Sequence, residues 1–593
     1  MNRPILKITF LLCFVILAGS LKSVAARTQA TIFIVNGTGD RSDIKPGDGV
    51  CDTLAVFPGD QCGFRAAIEE INALGSPVAP YHIDFDLSGS GPFVLMPDSA
   101  LPKIEVPVII DGSSEDGASC PTNDQPAMLQ IILDGTNTED TTGLILGEGS
   151  DGSEIKGLEI VNFPLDGMAI SSNNNRIECN HIGVGAQDPN EKGNAAFGIW
   201  VSGDENIIGG SDTVTSRNVI SGNGAAGLII VGNQNMVLNN YVGSTVDGNE
   251  GQGNSGYGIL IFGNSNQIGD GSNSGRNVIV SNLSAQGLLG DGIQINGNGF
   301  DSAGGDFNKI FGNYIGVGPD GESPMPNGRD GIGLYGGAKS NIIGSPTMPN
   351  VIAYNLGDGV SFQEFVEEFP IRNGVFGNSI FNNNGLGLDF GADVLTAAVP
   401  DLDFSSKNGW LTLSIQDLPN QPFSVDIFRN QFCDTPGYGE GQSYIGSVDI
   451  FTGADGFGQA EFELPLDLVE GEVITAMSNF LRGMRKSHTS ALDFSGNRPI
   501  EFVGAPDDLN SSNFSECFDP IPAMPTKTPT PSVTPSETST ATSTPIPSET
   551  PDSTLTVTIV ITPSATPPVD GTPMPPTNTD QLVFLPLIQS SSD

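Results

Sequence analysis

Three aspartates, Asp291, Asp330 and Asp358, each stand immediately before a glycine that opens a short apolar–x–apolar segment. Equivalent positions of stacked parallel strands lie about 4.8 Å apart. Neighbouring carboxylates at that distance repel by about 0.9 kcal/mol in water and roughly 3.5 kcal/mol at an effective dielectric of 20. Something must relieve this. The plainer reading is that each aspartate caps its own turn, with Arg329 neutralising part of the charge. The sharper reading is a Ca2+ held by Asp291, Asp330 and Asp358, with water or backbone oxygens completing its shell. Ca2+ is the one cofactor the sequence suggests. A second set, Trp200, Ile229 and Leu260, occupies consecutive outward positions and forms an apolar stripe suited to stacking on sugar rings or on a partner. A loop or the N-terminal region packed over it is the plainer account.

Catalytic constellations are hard to find. The outward column of the same strands reads Ala169, Trp200, Ile229, Leu260, Gln294, Gly333, Ser361 and Asp389. Asp389 has no carboxylate neighbour in that column, so it makes no acid/base pair of the kind glycoside hydrolysis needs. His82, His181 and His488 lie in separate segments without metal-ligand spacing. No nucleophile elbow or Ser/His/Asp set is present. Arg217 and Arg276 precede equivalent Asn residues, where salt-bridging to loops is the expected role.

These positions fall into columns because the chain repeats. Asn175, Asn206, Asn235, Asn266, Asn308, Asn341 and Asn373 each open an Asn–x–apolar triplet, recurring roughly every 30 residues. A second Asn follows in each unit: Asn180, Asn218, Asn240, Asn277, Asn313, Asn350 and Asn378. A third strand closes the unit, and alternation turns one apolar pair inward. The pairs are Met168/Ile170, Ile199/Val201, Leu228/Ile230, Ile259/Ile261, Ile293/Ile295, Ile332/Leu334, Val360/Phe362 and Leu388/Phe390. Three short strands per unit, each unit too small to bury a core alone, describe the rungs of a parallel β-helix. Gly supplies corners with positive φ, and Asn tolerates the same corners. Stacked Asn amides can also donate to one rung and accept from the other, as a ladder. Eight rungs at about 4.8 Å make a rod of roughly 38 Å.

The phrases NYIGVGPDG (313–321) and RNVISGN (217–223) resemble those of secreted bacterial right-handed β-helix repeat proteins, over about residues 145–395. With the preference of parallel crossovers, that resemblance sets the expected hand. The expected fold class is all-β: a right-handed parallel β-helix of the pectin-lyase-like kind, with an N-terminal cap and a C-terminal Ig-like β-sandwich. The resemblance also implies what an enzyme of this architecture would use. Uronate lyases use calcium-binding carboxylates with an Arg or Lys base, and the hydrolases use clustered Asp.

Ahead of the rungs, Phe64, Ala67, Ile68 and Ile71 form an i, i+3, i+4, i+7 stripe that predicts a helix over Arg65–Leu74, well placed to cover the open end of the rod. CGFRAAIEEINA resembles the N-terminal CSLREA domain found before such repeats. Cys62, Arg65, Ala67, Ile68 and Asn72 match; Gly63, Phe64 and Ala66 depart. No activity comes with it. A Cys51–Cys62 disulfide is the preferred pairing there, closing a short loop for about 2–3 kcal/mol. Beyond the rungs, residues 411–418, 423–430 and 459–466 alternate like antiparallel strands. Residues 428–450 with 510–517 resemble the small sandwich that often follows these repeats, which implies a Cys433–Cys517 bridge. The pairing of Cys120 and Cys179 stays open.

The domain reading is a signal peptide at 1–30, an N-terminal capping region at 31–145, β-helix repeats at 146–400 and a sandwich at 401–520. A Thr/Pro/Ser-rich disordered stalk at 521–580 and a short hydrophobic tail at 581–593 follow. The net charge of −45 argues against nucleic acid and anionic lipid partners. No stretch after the signal is long enough for a transmembrane helix. The function expected is that of an exported bacterial protein, secreted or associated with the cell surface. It is read as a non-catalytic adhesion or glycan-binding β-helix, with a polysaccharide or cell-envelope glycan as partner. A polysaccharide lyase or glycoside hydrolase is the alternative, and a structural spacer the third reading.

Overall fold

The computed structural model describes residues 30–53, 61–122, 125–185, 193–211, 214–283, 290–297, 304–364, 368–391, 399–405, 410–433, 440–465, 467–482 and 508–520. The expected signal peptide, stalk and hydrophobic tail, and His488, lie outside the described residues.

Short strands stack into three parallel sheets of eleven, ten and nine described strands. Successive strands of one sheet come from successive turns of the chain, which makes the body a right-handed parallel β-helix. Register follows the repeat. In the third sheet Leu228 pairs with Ile259 and Ile259 with Ile293, so the inward residues stack in file. All eight expected pairs are buried, from Met168/Ile170 to Leu388/Phe390. The last two phenylalanines, Phe362 and Phe390, stack face to face at 4.4 Å.

Both expected Asn ladders are present, and a third accompanies them. In the first, each backbone N–H donates to the Oδ1 of the next rung's Asn, as Asn206 does to Asn235 at 2.8 Å. In the second, Asn180, Asn218, Asn240, Asn277, Asn313, Asn350 and Asn378 are linked amide to amide at 2.9–3.2 Å. The third runs Asn194, Asn223, Asn254, Asn282, Asn327, Asn355 and Asn383 at 2.8–3.0 Å. One expectation about the corners needs correction. The ladder Asn does not itself take the left-handed conformation; at many rungs the residue before it does. Glu205, Gln234, Ser265, Phe307 and Ser340 have φ of 57–59° and precede Asn206, Asn235, Asn266, Asn308 and Asn341. Gly312 and Gly377 fill that place before Asn313 and Asn378.

The ladder also begins earlier than expected. Ile32–Val35, Tyr81–Phe85 and Val108–Asp111 are the first strands of the first sheet, so much of the segment read as a cap is rung. The cap proper is the helix, α1 (Phe64–Leu74), whose Ala66, Ala67, Ile68 and Ile71 are fully buried in the same core as the rungs. Residues that carry the CSLREA resemblance fasten it. Arg65 makes a two-pronged bond to Asp40 at 2.9 Å and donates to the carbonyls of Ser99 and Ala100. Asn72 bonds Lys103 and Glu105 backbone groups. Disulfides join Cys51 to Cys62, Cys120 to Cys179 and Cys433 to Cys517.

After the rungs, antiparallel sheets of three and four described strands share one core, with Leu411, Leu413 and Ile415 packed on Phe423, Val425, Ile427 and Ile474. This sandwich closes the last rung. Ile380 exchanges 2.8 Å backbone bonds with Gly441, Val375 N–H donates to Ser511 Oγ, and Gly377 N–H donates to Asp426 Oδ2. The Glu440 carboxylate accepts from Asn382 and Asn383 N–H, the place the next amide would take. Among the described residues, no helix is long and apolar enough to cross a membrane.

Candidate functional site

The outward face of the third sheet gathers the residues singled out by the sequence, and parallel pairing puts them in register. Trp200 lies beside Ile229, and Ile229 beside Leu260. The column is real, but it is not an exposed stripe. Ile229 is fully buried and Leu260 nearly so. Trp200 alone of the three is half-exposed, edge-on to the half-exposed Phe197 at 5.6 Å. The aromatic platform is therefore the Phe197–Trp200 pair, with Ile229 and Leu260 as packed floor.

The aspartate column is also real. Gly258, Gly292 and Gly331 donate their N–H groups to the carbonyls of Asp291, Asp330 and Asp358, fixing the three in consecutive rungs. The Asp291 carboxylate lies on the outward face, where a Cβ built on outward Gly333 would meet its Oδ2 at 2.8 Å, and Asp330 reaches the outward Ser361. They do not cap their own turns. Each accepts from the next rung instead: Asp330 N–H to Asp291 at 3.2 Å, Asp358 N–H to Asp330 at 2.8 Å, and Leu386 N–H to Asp358 at 2.6 Å. Ser361 Oγ donates to the other oxygen of Asp330 at 2.5 Å.

The expected repulsion is relieved in three ways. The backbone donors are one. Arg329 is another, reaching Asp291 at 3.6 Å and Asp330 at 3.4 Å. The third is a shift toward the neutral acid. Burial pushes the Asp291 carboxyl up to about 7, against the pull of Arg329 and with the push of Asp330. Burial likewise raises Asp358 to about 6, with further pushes from Asp330 and Asp389. Asp389 thus does have a carboxylate neighbour, in the adjacent column rather than its own. For calcium the arrangement is unfavourable. Among the described residues, no three Asp, Glu, His or Cys side chains form a group that could hold a metal ion, and the oxygens of Asp330 are already engaged. The Ca2+ expectation at Asp291, Asp330 and Asp358 therefore draws no support from this arrangement.

A further outward column was missed. Two residues beyond Gln294, Gly333 and Ser361 stand Asn296, Tyr335 and Gln363, in register. Period-two alternation was the available signal. The Tyr335 ring folds back over Gly333, where an added Cβ would meet it at 2.6 Å, and Arg329 lies over that ring at 5.1 Å while donating to Gln363 at 3.1 Å. Around this glycine, Asp291 Oδ2, Gln294 Oε1 and the Tyr335 hydroxyl are buried with no hydrogen-bond partner. Unmatched buried polar atoms are rare and costly, and they mark places where water or ligand is taken up. Elsewhere, His181 is buried and pushed down to about 4 by desolvation, 3.9 Å from Glu159. Arg217 and Arg276 lie over the rings of Tyr241 and Tyr314 at 4.2 and 4.0 Å, so aromatic stacking replaces the expected salt bridges to loops.

No protein-family model and no curated protein matches the chain. Among solved structures, a mutant of the periplasmic alginate epimerase AlgG is 14% identical with a TM-score of 0.29, over 54% of this chain and 76% of that one. Pectate lyase Pel9A is 12% identical with a TM-score of 0.28, over 61% and 79%. The A-module of the Azotobacter vinelandii mannuronan C-5 epimerase AlgE6 is 14% identical with a TM-score of 0.24, over 56% and 94%. At these values the likeness carries no argument about chemistry.

Proposed function

We propose that this chain is an exported, non-catalytic β-helix protein that binds a glycan across the outward face of its third sheet. The observation that carries the reading is the half-exposed Phe197–Trp200 pair on the outward face of the third sheet. Sugars present apolar C–H faces to aromatic rings, and this half-exposed pair offers such a ring surface. Three disulfides suit an oxidising compartment and support export. Against catalysis stands accessibility: Asp291, with the carboxyl pushed to about 7, is fully buried and does not reach a substrate. The hydrolytic reading is favoured by one feature, the half-buried Asp358 with its carboxyl raised to about 6 beside Asp389.

The test is a glycan array followed by overnight incubation of each bound glycan with the protein. Retention without release of reducing ends or unsaturated products supports the proposal. Product release transfers the assignment to a hydrolase or lyase, and no retention on any glycan leaves a spacer.

A further inference from the structure

We infer that the glycan bound on this face is neutral, a polymer of uncharged sugars rather than a polyuronate; this rests on the glycan-binding reading above. The charges on the face decide it. Asp166, Asp291, Asp330, Asp358 and Asp389 all belong to its outward columns or the corner column beside them, and Arg329 is the cation among them. Arg329 is already committed. Its guanidinium serves Asp291, Asp330 and Gln363 and lies over the Tyr335 ring. A uronate carboxylate needs a free cation or a bridging metal. Among the described residues, no group of three Asp, Glu, His or Cys side chains offers the metal a seat. A polyuronate would therefore bring a row of like charges to an acidic face that offers it no free cation, on a chain of net charge −45.

The apolar contact agrees. Trp200 and Phe197 supply the apolar contact that an uncharged sugar ring needs, in the same column direction along the rod.

Affinity electrophoresis of the full chain tests this, in native gels containing dextran, galactomannan, xyloglucan or mixed-linkage β-glucan, and in gels containing alginate or polygalacturonate. Each gel is run at low salt with EDTA and again with millimolar Ca2+. The expected result is retardation in at least one neutral gel, independent of calcium, with none in either polyuronate gel. Trp200→Ala should weaken that retardation at least tenfold, while Trp200→Phe, which keeps a ring against Phe197, should retain most of it. Retardation by a polyuronate equal to or stronger than by every neutral polymer overturns the inference and leaves glycan binding standing. Retardation by none of the polymers, together with an empty glycan array, overturns the glycan-binding reading itself. Neutral retardation unchanged in both Trp200 variants removes the face from the site and overturns the inference as well.

Discussion

Replacing Asn240 by Ala should destabilise the rod by about 3 kcal/mol. Asn240 is fully buried in the second ladder. Its Nδ2 donates to the carbonyls of Ile208 and Leu238 at 2.9 and 3.0 Å and to Asn277 Oδ1 at 3.0 Å, and its Oδ1 accepts from Asn218 Nδ2 at 2.9 Å. Alanine removes all four bonds. Each buried hydrogen bond contributes about 0.5–1.5 kcal/mol net, and a partner left bare costs about 1–3. Here three partners keep a second bond: Asn218 Nδ2 to the Ile177 carbonyl, Leu238 O from Gly210 N–H, and Asn277 Oδ1 from Asn240 N–H. That holds the cost near the lower sum.

Asn240→Asp separates a ladder from a mere space-filler. It keeps the volume and the acceptor but turns an oxygen toward the three groups that Nδ2 served, and it buries a charge. It should therefore be worse than Ala at pH 7, and recover toward wild type in acid as the carboxyl protonates and donates. Urea unfolding followed by circular dichroism at pH 7 and pH 5 measures both. An Asp variant as stable as the Ala variant at pH 7 would refute the ladder as a source of stability.

Ile261→Ala opens a space between Ile230 and Ile295 in the buried file, and a loss of about 2–5 kcal/mol is expected in the same urea assay; a loss under about 0.5 kcal/mol would place Ile261 with surface residues. Asp426 lies fully buried where the sandwich meets the last rung, and burial raises its carboxyl from 3.8 to about 7. A folded state that holds a proton more tightly than the unfolded one is favoured in acid, and the advantage is lost as pH rises from about 4 through 7. Asp426→Asn keeps the acceptor for Gly377 and removes the titration, so it should match wild type near pH 4 and exceed it at pH 8, by at most about 4 kcal/mol; a gap that does not grow with pH counts against the shift. Millimolar calcium should leave the Tm unchanged in wild type and in Asp330→Asn, and a calcium-dependent rise lost in the variant would restore the metal at Asp291, Asp330 and Asp358.

The scaffold was legible because its determinants repeat. One buried apolar pair per turn and one Asn per corner recur with the chain's own period, and a periodic signal survives the variable loops between. The third ladder carried an equally regular mark, Asn–x–x–x–Gly before the third strand, broken at Asn282 where a longer segment intervenes before Ile293. The candidate site was only partly legible. Outward residues answer to no stacking rule, so Trp200, Gln294 and Ser361 share a column without sharing a type. Their meaning depends on what folds over them, which is tertiary information: Ile229 reads as exposed from alternation and is fully buried. Arg329 acts through contacts with the Tyr335 ring and with Asp330 and Asp291, the last of them on the preceding rung.

The ends of the rod show why a repeat needs sequence that departs from it. A ladder Asn is satisfied by the rung above, so the last rung of each ladder would present bare N–H donors and invite further strands. At the C-terminal end the sandwich supplies unlike groups at the same places: the Glu440 carboxylate for the amide beyond Asn383, Ser511 Oγ for the carbonyl opposite Val375, and the Gly441 backbone for a strand beside Ile380. These acceptors match the donors of one rung but belong to the antiparallel sandwich and the segment leading into it, so they do not continue the rungs. At the N-terminal end, α1 covers the core with apolar Ala and Ile while its own backbone bonds stay internal. Each closure works because it satisfies the rung without repeating it, and that is why neither lies within the period that discloses the rungs.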